Sequence, residues 1–321
     1  MKVSIVAPVY NEESVIPEFF QRIEAMLPKF MEKFNINRED IEVLLVNDGS
    51  IDCSFDLLKS ISDNNSGYRL IDLSRNYGHQ IAITAGIENS QGEAIVIIDV
   101  DLQDPPEIIL PLYEKLLEGF DVVNAVRTKR KGESFFKIIT SKIFYRVLNK
   151  LTHVDIPLDT GDFRIISRRV ADTLNHMREK QRFVRGMISW VGFKQTGIAY
   201  NRDKRYAGKT KYPLNKMIKL ALDGITSFSS FPLRLSSYLG FMAAFLGFIY
   251  SVIVLYTKIF TDTAVPGWAS INCVVLFLGG AQLICLGMIG EYLSRIYDEA
   301  KARPLYLIAG IYGKSQSDIV N

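Results

Sequence analysis

Residues 94–106 read Ala-Ile-Val-Ile-Ile-Asp-Val-Asp-Leu-Gln-Asp-Pro-Pro, and the fold follows from this stretch. Ala94–Ile98 is apolar at every position, mostly β-branched, and too short for a helix. That is the pattern of a strand buried on both faces of a parallel sheet. The run ends abruptly in acids. In an open α/β sheet, ligands bind outside the carboxyl ends of the strands, so acids at this point face a ligand. Asp99 and Asp101 flank one residue, and a slight kink aims both carboxylates at the same place. Gln103 adds a neutral oxygen. A hard divalent cation such as Mg2+ or Mn2+ takes this kind of oxygen set. Such an ion bridges a diphosphate and neutralises charge as it leaves. An isolated Asp-x-Asp is common in polar turns; the same acids directly behind a buried strand are far more specific.

Similar runs lie at Val3–Pro8, Ile41–Val46, Tyr68–Leu73 and Val122–Val126, with helical patterns between them, the first from about Glu13 to Phe34. Residues 1–212 therefore read as an α/β domain, a Rossmann-like, mostly parallel sheet covered by helices on both faces. The ends of the first two strands, Pro8-Val9-Tyr10-Asn11-Glu12 and Asn47-Asp48-Gly49-Ser50, fall on the same sheet edge as Asp99. Tyr10 can stack on a base, and Asp48 can accept hydrogen bonds from one. Taken singly, Asn-Asp-Gly-Ser is an ordinary turn, and Asn11 or Glu12 a helix cap. His79, His153 and His176 have no metal or triad spacing and read as surface or structural residues. For Asp162, in Thr160-Gly161-Asp162-Phe163-Arg164, the plain alternative is a turn carboxylate paired with Arg164.

Charge and cysteines exclude several classes. The 38 Lys+Arg against 35 Asp+Glu leave only +3, too balanced for a bulk nucleic-acid binder. Cys53, Cys273 and Cys285 are far apart or inside apolar runs, which rules out a disulfide scaffold and a Cys/His metal site. Gly208-Lys209-Thr210 ends like a P-loop, but Asp203 stands where the first glycine belongs. The start Met1-Lys2-Val3-Ser4 lacks a signal-peptide layout, so the front of the chain is expected in the cytoplasm.

The last third differs in kind. Leu235–Tyr256 and Ala269–Gly290 carry no charge, and each is long enough to cross a hydrocarbon core of ~30 Å. Lys211, Lys216, Lys219 and Arg234 precede the first run, Arg295, Lys301 and Arg303 follow the second, and the connector Thr261–Trp268 has no Lys or Arg, Lys258 alone lying near it. The positive-inside rule then places both termini in the cytoplasm. Ser134–Leu151 and Pro213–Phe231 are basic and amphipathic, as helices lying in a headgroup layer are. The expected organisation is a cytosolic catalytic domain over 1–212, with an interfacial helix at 134–151. A second interfacial helix follows at 213–231, two transmembrane helices at 232–297 and a cytoplasmic tail at 298–321. Gly279, Gly280, Ala281 and Gly287 suit close helix approach and leave a homo-oligomer open.

The strings VSIVAPVYNEE, VLLVNDGS, DLSRNYGHQIA, DVDLQDPPE, DTGDFR, RFVRGMISWVG, RYAGKTK and GEYLSRIYDEAKARPLY run along nearly the whole chain. Together they resemble the polyprenyl-phosphate glycosyltransferases of glycosyltransferase family 2, of GT-A type. These include bacterial glucosyl-carrier synthases and dolichyl-phosphate mannose synthases. The resemblance implies that Pro8, Tyr10, Glu12 and Asp48 contact the nucleoside, that Asp99 sits by the ribose and metal, and that Asp101 and Gln103 ligate Mg2+ or Mn2+. It implies Arg127, Lys137 and Ser141 as acceptor-phosphate contacts, Arg205 and Lys211 as cations closing over the diphosphate, and Asp162 as the catalytic carboxylate. The implied reaction is an inverting transfer of a sugar, UDP-glucose being the first choice of donor, onto a polyprenyl (undecaprenyl) phosphate at the cytoplasmic membrane face. GDP-mannose, UDP-N-acetylglucosamine and UDP-aminoarabinose remain open as donors. A processive polysaccharide synthase is one rival, but Gln181-Arg182-Phe183-Val184-Arg185 lacks the Trp of the Gln-x-x-Arg-Trp signature. A non-enzymatic membrane-bound nucleotide-binding scaffold is another, against which the full set of acids stands.

Overall fold

The computed structural model describes residues 2–128, 160–177, 179–202, 231–260 and 267–313. They fall into two units, Met1–Ile218 with Pro304–Asn321, and Lys219–Arg303. The expected interfacial helices lie outside the described residues, except for Phe231 at the end of the second.

The first unit is built on a sheet of eight strands. These are β1 (Val3–Val9), β2 (Ile41–Asn47), β3 (Tyr68–Leu73), β4 (Ala94–Ile97), β5 (Val122–Arg127), β6 (Thr160–Ser167), β7 (Gln195–Tyr200) and β8 (Ile308–Tyr312). Their spatial order is β7-β5-β6-β4-β1-β2-β3-β8. The five strands expected from apolar runs are all present. β1 is parallel to both β2 and β4, and β2 to β3. The order therefore reverses between β1 and β4, which is where an open sheet leaves a crevice at its carboxyl edge. β1 and β2 are buried at every position, which explains why they lack polar alternation.

Three strands are additions to the sequence reading. β6 lies antiparallel between β4 and β5, with Ile97 opposite Arg164 and Val126 opposite Thr160. Because β6 runs backwards, its beginning, not its end, lies on the carboxyl edge. β7 pairs parallel to β5. β8 comes from the stretch expected to be a tail. It pairs antiparallel to β3, and the Leu307 carbonyl accepts the Ser74 N–H at 2.9 Å. Its partner lies more than two hundred residues away in sequence, so no local pattern marks it.

Helices α1 (Ile16–Phe34), α2 (Ser54–Asn64), α3 (His79–Asn89), α4 (Ile109–Leu117), α5 (Arg168–His176) and α6 (Val184–Trp190) accompany the sheet. α1 buries Ile16, Phe19, Ile23, Met26, Leu27 and Phe30, the i, i+3, i+4, i+7 stripe of an amphipathic helix. At the amino edge of the sheet, buried Glu42 accepts from the Ser4 hydroxyl at 2.5 Å, Arg69 Nη1 at 3.0 Å and the Gln91 N–H at 2.6 Å. A buried carboxylate so satisfied closes that edge.

The second unit holds α7 (Phe231–Phe260) and α8 (Trp268–Ala300). The thiol of Cys285, at the middle of α8, donates to the carbonyl of Ser236, early in α7, at 3.4 Å, as in an antiparallel hairpin whose helices are joined by the short stretch 261–267. Phe241, Phe248, Leu283 and Leu286 are all exposed. Phe277–Ala300 is long and apolar enough to span a bilayer, and Ser236–Tyr250 is a shorter apolar stretch. Apolar side chains turned outward on such helices require an apolar surrounding. Among the described side chains, a Cβ built at Gly279, Gly280 or Gly287 would meet nothing within 4 Å.

Close approach decides one glycine in α3. A Cβ on Gly86 would lie 2.2 Å from Cγ1 of Val6 and 3.2 Å from Cγ2 of Val46, both in the buried sheet. Alanine gains about 0.5–1 kcal/mol of helix stability over glycine, but overpacking costs about 1–3 kcal/mol. Gly86→Ala is therefore expected to lower the apparent Tm in detergent by several degrees. An unchanged or raised Tm would show that α3 can lift off the sheet freely.

Candidate active site

The carboxyl edge is assembled from loops stitched to one another. Asn11, with φ of 52°, donates its N–H to Ser50 Oγ at 3.0 Å and accepts the Ile51 N–H at 2.9 Å. The Glu12 N–H reaches Ser54 Oγ at 2.9 Å. The segments after β1 and β2 are thus one surface, with Tyr10 partly exposed upon it and Pro8 buried inside β1. Asp48 is buried and accepts the N–H groups of Tyr77 at 2.7 Å and Gly78 at 3.0 Å. Burial pushes its pKa up against those bonds and the charge of His79. Gly49 has φ of 62°, and a Cβ there would lie 2.4 Å from the Arg75 carbonyl carbon. Asn47-Asp48-Gly49-Ser50 is therefore a packed junction that positions the start of α3, beyond an ordinary turn.

At the centre, four charged side chains meet, from β6, α3, α6 and the turn after β4. Asp162, on β6, is 6% exposed. Its carboxylate accepts Nε of Arg185 at 2.7 Å and Nη2 at 2.9 Å, a bidentate pair. His79, the first residue of α3, places Nε2 3.2 Å from Asp162 Oδ2 and 3.4 Å from Asp99 Oδ1. The Gln80 amide lies 3.4 Å from the same Asp162 oxygen, and its own oxygen accepts the Val184 N–H at 2.9 Å. Burial alone would raise the Asp162 pKa; Arg185 first, then His79, reverse this and hold it well below the usual carboxylate range. Burial likewise works against a charged His79, but Asp99 and Asp162 lift its pKa to about 9. At neutral pH an imidazolium stands between two carboxyl groups. Burial raises Asp99 to about 6; His79 opposes that rise, while Asp162, Asp101 and Asp104 add to it.

Asp101 caps its own turn, accepting the Gln103 N–H at 3.1 Å. Leu102 between them has φ of 57° while its side chain is buried. A left-handed conformation at a branched side chain is strained and persists only where packing enforces it. Here the leucine is enclosed in the core and Gln103 after it is half-buried. Among the described residues no three His, Cys, Asp or Glu side chains already surround one metal position. The donor set nevertheless suits a hard cation: Oδ1 of Asp99 is buried and, although 3.4 Å from the His79 imidazole, accepts no hydrogen bond among the described residues, and raised proton affinity in a cluster of carboxylates marks a place where positive charge is favoured.

Arg127, at the end of β5, donates to the buried carboxylate of Asp104 at 3.3 Å and to the Tyr200 hydroxyl at 3.3 Å. Lys137, Ser141, Arg205 and Lys211 lie outside the described residues. Two sequence readings are corrected. Asp162 is on a strand, and Arg164 donates to the backbone carbonyls of Gly161 at 2.7 Å and Asp162 at 3.3 Å, not to the Asp162 carboxylate. His79 is no bystander; its place at the head of the helix after β3 puts it on the ligand edge, a position that the pair Gly78-His79 behind YRLIDL could have signalled. Arg185 carried no local signal, since its partner is 23 residues away on a reversed strand.

The shared charge has a direct readout. In metal-free protein the His79 imidazole is expected to titrate near pH 9, against 6.5 without its partners. Its pKa is raised on folding, so its contribution to stability is full below about pH 6.5 and is lost as pH rises toward 9. Imidazole NMR shifts check this, and Asp162→Asn is expected to move the midpoint down. A midpoint near 6.5 in the wild-type protein would break the shared-charge account.

Comparison with known proteins agrees with this arrangement. Residues 4–174 match the profile of glycosyl transferase family 2, and residues 231–296 match that of the GtrB C-terminal hairpin. An uncharacterised glycosyltransferase of Bacillus subtilis, YkcC, is 54% identical over 310 residues, covering 97% of this chain and 94% of the relative. A prophage bactoprenol glucosyl transferase homolog of Escherichia coli is 40% identical over 308 residues, covering 96% and 98%. The bactoprenol glucosyl transferase of Shigella phage SfX is 39% identical over 308 residues, covering 96% and 99%. The hairpin match and the outward apolar side chains of α7 and α8 make this a membrane-associated protein. With its mostly parallel sheet, its acids at the carboxyl edge and relatives matching from end to end, the chain belongs to glycosyltransferase family 2.

Proposed function

We propose that this protein transfers glucose from UDP-glucose onto a polyprenyl phosphate at the cytoplasmic membrane face, with inversion at the anomeric carbon. The observation that supports the reading most is the reach of the likeness. Bactoprenol glucosyl transferases match the catalytic sheet and the apolar hairpin alike. The part suited to a lipid carrier is therefore shared together with the part suited to a nucleotide sugar. The distribution of Lys and Arg around the two apolar runs supports both termini lying in the cytoplasm.

Each residue then has a duty. Tyr10, Glu12 and Asp48 would contact the nucleoside, with Pro8 behind them. Asp99, Asp101 and Gln103 would hold Mg2+ or Mn2+, and a cation there offsets the charge of the departing diphosphate. Arg205 and Lys211 would close over that diphosphate. Arg127, Lys137 and Ser141 would receive the acceptor phosphate. Asp162 is the catalytic carboxylate in this reading, but as an anion and not as a strong base. A general base works best with a pKa near the working pH, and Arg185 and His79 hold Asp162 far below it. A phosphate monoester has a second pKa of about 6 and is mostly a dianion at neutral pH, so it needs little deprotonation to attack. The anion of Asp162 would orient the reactants and stabilise positive charge developing on the sugar.

The test is a transfer assay with full-length protein in detergent, polyprenyl phosphate, Mg2+ or Mn2+ and radiolabelled nucleotide sugars, with label counted in the lipid phase. Label is expected from UDP-glucose; label from GDP-mannose or UDP-N-acetylglucosamine alone would replace the donor. Asp101→Ala is expected to abolish transfer. Asp162→Asn is expected to lower kcat by about 100-fold or more, on the scale of losing one preorganised electrostatic group, while UDP-glucose binding measured by calorimetry persists. Full activity of Asp162→Asn would remove that residue from the mechanism.

A further inference from the structure

Asp104 follows the metal-type acids by three residues and is fully buried. Three groups converge on it. The Tyr200 hydroxyl donates to Oδ1, Arg127 Nη2 lies 3.3 Å from Oδ2, and Arg202 Nε lies 3.4 Å from Oδ1. Arg127 Nε also donates to the Tyr200 oxygen at 3.3 Å. The backbone of β6 is cut away to admit this cluster: a Cβ on Gly161 would lie 2.2 Å from Arg127 Nη2. Two guanidinium groups share one carboxylate, so the cluster carries one positive charge more than Asp104 cancels. Burying a carboxylate is costly unless it is paired. Here one anion holds together two cations that would otherwise repel, while their side chains stay 18% and 26% exposed.

The place of the cluster selects its ligand. Arg127 ends β5, and Tyr200 ends β7. In the sheet these strands lie on one side of β6, while β4, β1 and β2 lie on the other. Asp162 on β6 therefore separates Arg127 and Arg202 from the ends of β1 and β2. The cluster is within electrostatic reach of the centre, since Asp104 raises the proton affinity of Asp99 and Arg185 opposes the charge of Arg127. Paired guanidinium groups are the usual partners of phosphate, which they grip by several parallel N–H bonds.

We propose that Asp104 is a positioning residue that holds Arg127 and Arg202 as a two-guanidinium receiver for the phosphate of the acceptor lipid, across Asp162 from the nucleoside. The inference rests on the reading of the reaction given above and adds Asp104 and Arg202 to it. Asp104 touches no reactant; it fixes the direction and spacing of the groups that do.

The experiment measures initial rates of the full-length protein with polyprenyl phosphate and labelled UDP-glucose varied in turn. Asp104→Asn is expected to raise the KM for polyprenyl phosphate about tenfold, a loss of about 1.4 kcal/mol of binding, with the KM for UDP-glucose unchanged. Asp104→Glu, which keeps the charge, is expected to recover part of that loss. Arg202→Gln, at a partly exposed side chain, is expected to shift the same KM and keeps the test alive should Asp104→Asn not fold. Wild-type protein that transfers no sugar to polyprenyl phosphate overturns the reaction itself, and this inference with it. Active wild-type protein whose variants keep the acceptor KM, lose only kcat, or shift the UDP-glucose KM instead overturns the inference alone.

Discussion

Two carboxyl groups from different segments, Asp99 just past the end of β4 and Asp162 on β6, share the imidazolium of His79, and the site is organised around that shared charge. The arrangement depends on β6 running against its neighbours, because only then does the start of that strand reach the edge where β4 ends. Arg185 completes it from α6 through a bidentate pair. Removing a partner from such a buried group would leave an uncompensated charge, so each of the four side chains constrains the other three. One consequence is chemical. The carboxylate proposed for catalysis, Asp162, is held well below the usual carboxylate range, which fits a group that acts by its charge.

The two edges of the sheet follow opposite rules. At the amino edge, Glu42 is buried and satisfied by Ser4, Arg69 and the Gln91 backbone. At the carboxyl edge, Asp99 keeps a buried oxygen that accepts no hydrogen bond among the described residues, and Asp104 gathers more positive charge than it cancels. Closed polar networks stabilise, whereas incomplete ones are retained where a ligand completes them. The contrast separates the structural end of the domain from its working end without reference to any relative.

Much of this was legible in the chain order. Five strands could be read from apolar runs because strands buried on both faces have no polar positions to disguise them. Tyr10, Asp48, Asp99 and Asp101 could be placed on one edge because parallel strands all end there. The two long uncharged runs announced an apolar surrounding for the last third. What could not be read is of another kind. His79 looked idle because the carboxyl groups that charge it are 20 and 83 residues away in sequence. Arg164 looked like the partner of Asp162 because it is near in sequence, whereas its guanidinium turns to the backbone.

The amino-acid sequence by itself determined the fold class, the edge on which chemistry is done and the type of cation that its acids suit. These rest on local properties: hydrophobic runs, turn residues and the spacing of donors along a few residues. Only the tertiary structure decided the direction of β6, the capture of β3 by the distant β8, the charge of His79 and the choice of Arg185 as the partner of Asp162. These depend on distances between segments far apart in the chain and on the burial that makes each charge expensive without its partner. Neither quantity exists until the sheet has closed around them.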